Sequence, residues 1–339
     1  MNIGIIGLGA FAEYHIRAIE QLQGLEITAV SRRDKEALDL CCRQYGFTGY
    51  TDYRDLLDDK GIDAVLISTP HHMHTEIVEA AASMGKHILL EKPLAENPEG
   101  VARIQRAVQE SGIFFMAGYS NHYTKANKRA KEIIDSGEIG EIVTGMSFVH
   151  KYWMVPERRQ WHLNKSTGGG MWLTIGVHLI DRLTFFINSR VSSISAKIGT
   201  RFHDQEADDW SSAYLKYENN AVGFVSAVGH CAGGLLEQTV LTGTKGSLKI
   251  NQKDGLFLGR DELWVPVEGT STEDQHQDAL TEEWRAFSSY VQNGYSADVV
   301  PLHFAVEVMD VVFAGQLSAK ENREVRIDTK TAGTPGGQA

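Results

Sequence analysis

Short apolar runs alternate with amphipathic stretches over the first third of the chain. The runs span four or five residues and carry few charges, which is typical of strands buried on both faces of a sheet. The stretches between them repeat apolar residues every three or four positions, which predicts helices. We predict strands at 2–6, 26–30, 64–68, 86–90 and 113–117, and helices at 11–22, 35–45, 52–59, 74–84 and 98–111. This alternation predicts a doubly wound parallel sheet.

The pattern changes after residue 120. A helix predicted at 124–136 is followed by strands whose residues often alternate between apolar and polar, as in a sheet packed mainly on one face. These strands are predicted at 141–152, 192–202, 210–217, 221–230, 237–242 and 247–250, with closing helices at 276–293 and 302–318. We therefore expect two domains, at 1–120 and 121–330, and a flexible tail at 331–339.

A glycine turn joins the first predicted strand to the first helix. The segment from Gly7 to Ala12 reads G-x-G-x-x-A, the order found in a dinucleotide-binding βαβ unit. Gly7 permits the tight turn, Gly9 lets the backbone approach a pyrophosphate, and Ala12 permits close packing of helix on strand. The free N–H groups at the helix start favour the phosphate charge. Predicted cofactor contacts here are Gly7, Gly9, Ala10, Phe11 and Ala12.

The end of the second strand indicates which dinucleotide is bound. An NAD site usually has Asp or Glu there to bind the ribose 2′-hydroxyl, whereas this chain has Ser31, Arg32 and Arg33. A hydroxyl and guanidinium groups suit a 2′-phosphate. We favour NADP and leave NAD open, since the two arginines could also form a solvated turn.

Charge and cysteine content exclude several classes of protein. The net charge of −11 argues against nucleic acid or an anionic membrane as the main partner. Three cysteines without C-x-x-C spacing frame neither disulfides nor a metal site, which fits a reducing cytoplasm. We find neither a basic leader nor an apolar stretch of eighteen residues, and therefore predict no export signal and no membrane span.

Polar segments follow three of the strands in the first third, where such sheets bind their ligands. His71, His72 and His74 lie in a turn into a helix with no Cys or carboxylate to complete a ligand set, so we predict no metal. Lys92 stands at a strand tip before Pro93. There, partial desolvation can lower its pKa, although a solvated loop lysine is the alternative. Predicted cofactor contacts here are Ser68, Thr69, Pro70, His71, His74, Glu91 and Lys92.

A second chemical signal lies at residues 168–181. Three glycines lead into a predicted helix on which Thr174, His178 and Asp181 share one face. Histidine suits proton transfer near neutral pH, but a structural role for His178 is the alternative.

Cations and aromatic residues gather just before that helix. The strand at 141–152 brings Lys151 towards the pocket, and an irregular segment follows it. In an acidic protein such a cluster indicates an anionic or planar substrate, with surface or subunit salt bridges as the alternative. Predicted substrate contacts are Asn121, His122, Trp153, Arg158, Arg159, Trp161 and His162, besides Lys92, Thr174 and His178.

The segments 7–12, 68–70, 91–93, 133–142 and 168–181 together resemble the glucose–fructose oxidoreductase / inositol dehydrogenase (Gfo/Idh/MocA) family, in the expected order. The resemblance covers nearly the whole chain. It implies an α/β fold with an N-terminal Rossmann domain, and a C-terminal α+β domain with an open, mainly antiparallel sheet that often forms oligomer contacts. We therefore expect a homo-oligomer, a dimer or tetramer, through that sheet. It also implies hydride exchange between a nicotinamide and a sugar or cyclitol hydroxyl or ketone.

In the family pattern Lys92 and His178 match the catalytic lysine and histidine. The family motif Asp-x-Gly-x-His is here Thr174-Ile175-Gly176-Val177-His178, so a hydroxyl replaces a carboxylate and protonated His178 is less favoured. We expect Thr174 to orient the substrate and Lys92 to take a larger share of proton transfer.

The leading hypothesis is a cytoplasmic NAD(P)-dependent oxidoreductase acting on a small hydroxyl or carbonyl substrate: a sugar, a cyclitol or a related, acidic compound. The alternatives are a non-redox lyase of the same family, such as an aromatic-acid decarboxylase, and a nucleotide-sensing regulator.

Overall fold

The computed structural model describes residues 1–156, 158–251, 253–271 and 274–327. The predicted tail at 331–339 lies outside these ranges.

A six-stranded parallel sheet forms the first part of the chain. Its strand order is β3-β2-β1-β4-β5-β6, so the order reverses on either side of β1, as a doubly wound sheet requires. The strands are β1 Asn2–Ile6, β2 Glu26–Ser31, β3 Thr48–Tyr50, β4 Ala64–Ile67, β5 His87–Glu91 and β6 Phe115–Gly118. The helices are α1 Ala10–Glu20, α2 Lys35–Tyr45, α3 Tyr53–Asp58, α4 His74–Ser83 and α5 Pro98–Ser111. The predicted parallel sheet is confirmed.

Helix ends follow from local chemistry. The Asp34 side chain accepts from Ala37 N at the start of α2, which ends at Gly46 with φ 80°. Asn97 caps α5 in the same way through Gly100 N. The missed strand β3 has three residues on the sheet edge, too few to show a period.

A nine-stranded sheet forms the second part. Its order is β14-β13-β12-β11-β7-β10-β9-β8-β15, and β7 with β10 is the parallel pair among otherwise antiparallel ones in the described ranges. The predicted α/β class, with a mainly antiparallel second sheet, is confirmed. The strands are β7 Ile142–Tyr152, β8 Val191–Gly199, β9 Trp210–Tyr217, β10 Val222–His230, β11 Leu236–Gly243, β12 Ser247–Asn251, β13 Gly255–Arg260, β14 Leu263–Pro266 and β15 Val325–Arg326. The helices are α6 Lys125–Asp135, α7 Val177–Ile187, α8 Gln275–Asn293 and α9 Leu302–Glu321.

Helices cover the two sheets unequally. α7 and α9 pack on the second sheet, whereas α8 returns to pack on α1 beside the first sheet. The other face of the second sheet carries a hollow of about 620 Å³ lined by Phe148, Tyr214 and Phe224, among others. Phe224 is 40% exposed there, which is compatible with the predicted oligomer contact.

Two helical segments are long and apolar enough to cross a membrane by composition. They are Lys165–Ile187 and Leu302–Glu321, each with a mean hydropathy of 1.2. The prediction that the chain contains no apolar stretch of eighteen residues was therefore wrong. In the first, 78% of the apolar window is buried inside the protein, and in the second 44%. Both segments pack on the second sheet, and burial accounts for the composition of the first.

Packing of α9 on the segment that leads into α7 yields a stability prediction. A Cβ added at Gly315 would fall inside van der Waals contact of the buried Trp172 ring. We expect Gly315→Val to lower the free energy of unfolding by about 2–3 kcal/mol through overpacking, measured by urea denaturation. The control Gly234→Val has open space at its Cβ and should change it by less than about 0.5 kcal/mol. Equal stability of both variants would contradict the packing argument.

Candidate active site

A groove of about 940 Å³ runs along the carboxyl ends of the parallel strands. It brings together most of the predicted cofactor contacts, and also residues predicted for substrate. The lining includes Gly7, Gly9, Ala10, Phe11, Ser31, Arg32, Arg33, Ser68, Thr69, Pro70, Arg159, Trp161 and His162.

The glycine turn fits a dinucleotide. Gly7 has φ 97°, and a Cβ on it would lie 2.7 Å from Ser68 O, so only glycine suits this turn. A Cβ on Gly9 would meet nothing within 4 Å in the described part of the chain, which leaves bare backbone facing the groove. α1 begins at Ala10 without a side-chain cap. Its first N–H groups are therefore available to a phosphate. Ala12 is buried behind the turn, where it allows close packing.

At the predicted 2′-phosphate site, Arg33 is the arginine that has no ion pair with another described residue. Ser31 is only 4% exposed. Arg32 donates from Nη1 to Leu8 O at 2.9 Å, and its Nη2 lies 3.6 Å from Asp34 Oδ2. Arg33 is exposed and has Met73 Sδ as a weak partner at 3.9 Å. The sequence analysis missed Arg54, which lines the same end of the groove and pairs with Glu76 and Asp52.

Three residues predicted to contact substrate lie in the nucleotide groove. The Trp161 ring stacks on His162 at 3.7 Å and lies edge-on to His71 at 4.6 Å. His71 is buried, with Nδ1 2.6 Å from Gly168 O. Burial, followed by the charge of Arg158, lowers the pKa of His162 to about 4. The position of Arg159, Trp161 and His162 favours a role at the cofactor instead.

Two predicted cofactor contacts are corrected by the structure. His74 is fully buried, and its ring nitrogens lie 2.9 Å from Pro93 O and Thr69 O, so it braces the segment that carries Lys92. The Glu91 side chain points into the interior, where Oε1 lies 3.0 Å from His15 Nε2. Both side chains are directed into the interior behind the groove.

Two predicted substrate contacts are also corrected. Trp153 is fully buried and donates from Nε1 to Gln205 Oε1 at 2.9 Å. His122 is turned towards Asp181, with Nε2 2.6 Å from Oδ1, and its ring packs on Phe185. These side chains support the pocket wall rather than facing the substrate.

Lys92 lies beside the start of the helix that carries His178, and its charge acts on His162 of the groove. Lys92 Nζ lies 3.5 Å from Thr174 O. Burial lowers the pKa of Lys92, Glu91 opposes that shift, and the charge of Lys151 adds to it. The lysine is thus held where its neutral form becomes accessible.

Asn121 fixes the tautomer of His178. Its amide Nδ2 donates to His178 Nδ1 at 3.2 Å, so that nitrogen is unprotonated and the neutral ring carries its proton on Nε2. Burial, then the charge of Lys92, lowers the pKa of His178 well below its usual value. A neutral ring with Nε2–H is a hydrogen-bond donor.

The helix that carries His178 does not begin as a regular α-helix. Trp172–Gly176 is a π-helical turn, and α7 starts at Val177. The predicted common face of Thr174, His178 and Asp181 assumed 3.6 residues per turn, and the wider turn changes that phase. Thr174 contributes its carbonyl towards Lys92, while its hydroxyl is buried without a partner in the described structure.

The glycine entry and Asp208 set the position of this helix. A Cβ on Gly169 would overlap His162 O, and one on Gly170 would overlap Asp208. Asp208 Oδ2 accepts from Trp172 N at 2.6 Å, and burial raises the pKa of Asp208 to about 7. The sequence analysis missed this residue, because only the fold brings it to the helix start.

One buried cluster has metal-ligand composition. Ligand atoms of His15, Glu91 and Glu283 lie within 4.8 Å of one another. Trp284 Nε1 donates to His15 Nδ1 at 2.9 Å, so His15 Nε2 donates to Glu91. Burial, followed by the charge of Glu91, raises the pKa of Glu283 well above its usual range, so that its protonated form is favoured.

Comparison with known proteins agrees with this geometry. Residues 1–119 match the profile described as an oxidoreductase family with an NAD-binding Rossmann fold, and residues 127–249 match the GFO/IDH/MocA C-terminal domain. The chain belongs to the Gfo/Idh/MocA family.

Among the relatives of this Gfo/Idh/MocA protein is scyllo-inositol 2-dehydrogenase (NAD(+)) of Bacillus subtilis, 25% identical over 98% of each chain. Levoglucosan dehydrogenase of Pseudarthrobacter phenanthrenivorans is 29% identical over 78% of this chain and 76% of its own. A solved levoglucosan dehydrogenase in complex with NADH superposes with a TM-score of 0.87, at 25% identity over 97% of this chain and 99% of its own.

The coupling between Lys92 and His178 is testable in this family member. Since the lysine charge contributes to lowering the pKa of His178, we expect Lys92→Met to raise that pKa, followed by NMR titration of the ring. The control Lys253→Met removes an exposed charge outside the site and should leave the titration unchanged. An unchanged or lower pKa in Lys92→Met would contradict the proximity.

Proposed function

We propose that this protein is an NAD(P)-dependent dehydrogenase or reductase that interconverts CH–OH and C=O groups of a sugar, cyclitol or related substrate. The observation that carries the proposal is the proximity of Lys92 and His178, both disfavoured as cations, beside a groove that fits a dinucleotide. The dehydrogenase names of the inositol and levoglucosan relatives support it. A bound nicotinamide supplies the hydride exchange.

Lys92 carries the proton in this proposal. In oxidation, its neutral amine takes the proton of the substrate hydroxyl, and in reduction its ammonium returns that proton to the oxygen. The Thr174 carbonyl holds the amine in place. His178, with its proton on Nε2, donates a hydrogen bond to the reacting substrate and orients it. The threonine that replaces the family aspartate is consistent with this division, because no carboxylate is needed to stabilise a charged histidine.

The pH dependence of oxidation tests the role of Lys92. Because only the neutral amine accepts a proton and its pKa is lowered, we expect kcat/KM for oxidation to rise with pH through a pKa below 10.5. Lys92→Met and Lys92→Arg should lower kcat/KM by about 10²–10⁴-fold and abolish that rise, since arginine stays protonated. NADPH fluorescence checks that the variants still bind cofactor, and Lys253→Met serves as control. An intact pH profile in Lys92→Arg would refute the assignment.

We infer a preference for NADP over NAD. Ser31 stands where a carboxylate would repel a 2′-phosphate, and exposed Arg33 at the groove offers a guanidinium to bind it. Arg32, held by Leu8 O and Asp34, shapes the turn and adds positive charge. The NADH-bound relative keeps NAD as the alternative cofactor.

Cofactor titration tests this preference. We expect Arg33→Met to weaken NADPH binding by about 10–100-fold while NADH changes by less than about 3-fold, because only the former has the 2′-phosphate. Ser31→Asp should also shift the preference from NADPH towards NADH. The control Arg17→Met removes an exposed guanidinium paired with Glu13 on α1 and should affect neither cofactor. Equal weakening of both cofactors by Arg33→Met would argue against a phosphate-specific role.

Several broader predictions remain part of the proposal. They are the domain limits at 1–120 and 121–330, a cytoplasmic location, the absence of a metal, and assembly of two or four copies through the open face of the second sheet. The lyase alternative differs in releasing carbon dioxide from an aromatic acid without net change of the cofactor.

A further inference from the structure

We propose that the substrate carries a carboxylate, and that Arg158 binds it with the assistance of Lys151. This inference deepens the proposed function and rests on it, since it concerns the substrate of the same site.

Arg158 is held in one orientation with part of its guanidinium unused. Its Nε donates to Trp153 O at 2.8 Å, and the guanidinium carbon lies 3.8 Å from the centroid of the Trp153 ring. Trp153 is itself fixed by its bond to Gln205. Among the described residues, no carboxylate lies within 4.0 Å of the guanidinium, so its two Nη groups have no anionic partner there. Stacking and one hydrogen bond thus preorganise a cation for an outside acceptor.

Arg158 belongs to a group of cations around the reacting residues. Lys151, at the end of β7, interacts electrostatically with Arg158 and with Lys92, and Arg158 also acts on His162. Burial lowers the pKa of Arg158, and no acid among the described residues contributes an opposing shift. At the position where the family pattern has an aspartate, Thr174 brings no negative charge. A neutral sugar would leave these like charges desolvated and only partly compensated, whereas an anion would relieve them.

The balance of charge favours a carboxylate over a phosphate. The parallel N–H groups of a guanidinium match the two oxygens of a planar carboxylate. Glu237 raises the pKa of Lys151 and offsets part of its positive charge. The net positive charge beside Arg158 therefore suits a group with one negative charge rather than two. The acid group would lie on the part of the substrate that does not react, with the hydroxyl left to Lys92 and His178.

The test compares matched acidic and neutral compounds on the full-length protein with its cofactor. Glucuronate is paired with glucose, and quinate with myo-inositol; glucose 6-phosphate tests the alternative anion. Turnover is followed with NADP⁺ and NAD⁺, and binding by the change in fluorescence of bound NADPH. We expect at least one acid to be preferred over its neutral partner by about 100-fold in kcat/KM or in affinity.

Variants separate recognition of the acid from general damage. Arg158→Met should reduce the acid-to-neutral ratio by about 100-fold, mainly through KM, and Arg158→Lys should restore part of it. Lys151→Met should reduce it less. The control Arg106→Met removes an exposed guanidinium on α5 and should leave the ratio unchanged. Melting temperatures show whether each variant is folded. If Arg158→Met unfolds, Arg158→Lys still tests the proposal.

The outcomes distinguish this inference from the proposed function. Tight binding of an acid that depends on Arg158 supports the inference even without turnover. The absence of turnover would count only against the proposed dehydrogenase activity. Equal or weaker binding of both acids relative to their neutral partners overturns it. So does a ratio unaffected by both Arg158 substitutions, or a preference for glucose 6-phosphate over glucuronate.

Discussion

The chemistry of this site depends on the desolvation of positive groups whose charge is only partly offset by Glu91 and Glu237. Burial is the largest cause of the lowered pKa of both Lys92 and His178, and each also lies within the field of other cations. In a wet, exposed site those fields would be screened and the pKa of the lysine would stay near its usual value. The lowered pKa of the amine and of the imidazole is therefore a property of the enclosure. An aspartate in the place of Thr174 would change the protonation of both residues at once.

That enclosure is built by groups that touch no ligand. His74 ties the Lys92 segment to the loop after β4, and His71 ties the same loop to Gly168 at the start of the glycine entry. Asp208 accepts from the first turn of the helix that carries His178. The two halves of the site come from different sheets, and these buried bonds fix the distance between them. Preorganisation of this kind places the reacting groups before substrate arrives.

The sequence predicted what local pattern determines. Buried apolar strands indicated the parallel sheet, and the glycine turn, Lys92 and His178 were identified by motif and position. The sequence did not predict the direction of individual side chains. Glu91 and Trp153 were assigned to ligands because their neighbours along the chain face the groove, yet their own side chains point into the interior. The π turn at Trp172–Gly176 altered a helical phase that no spacing rule would reveal. Asp208 and Arg54 reach the site from distant segments, which only the tertiary structure brings close.

The path of α8 has a consequence for the independence of the two halves of the chain. Leu280, Trp284 and Phe287 on this late helix complete the same core as Ile3, Ile16 and Ile19, and Trp284 hydrogen-bonds to His15 on α1. The nucleotide half is therefore not an independent folding unit. If it were separated at its apparent boundary, one side of its core would be exposed to water. The chain must be synthesised almost to its end before the cofactor groove has its full support.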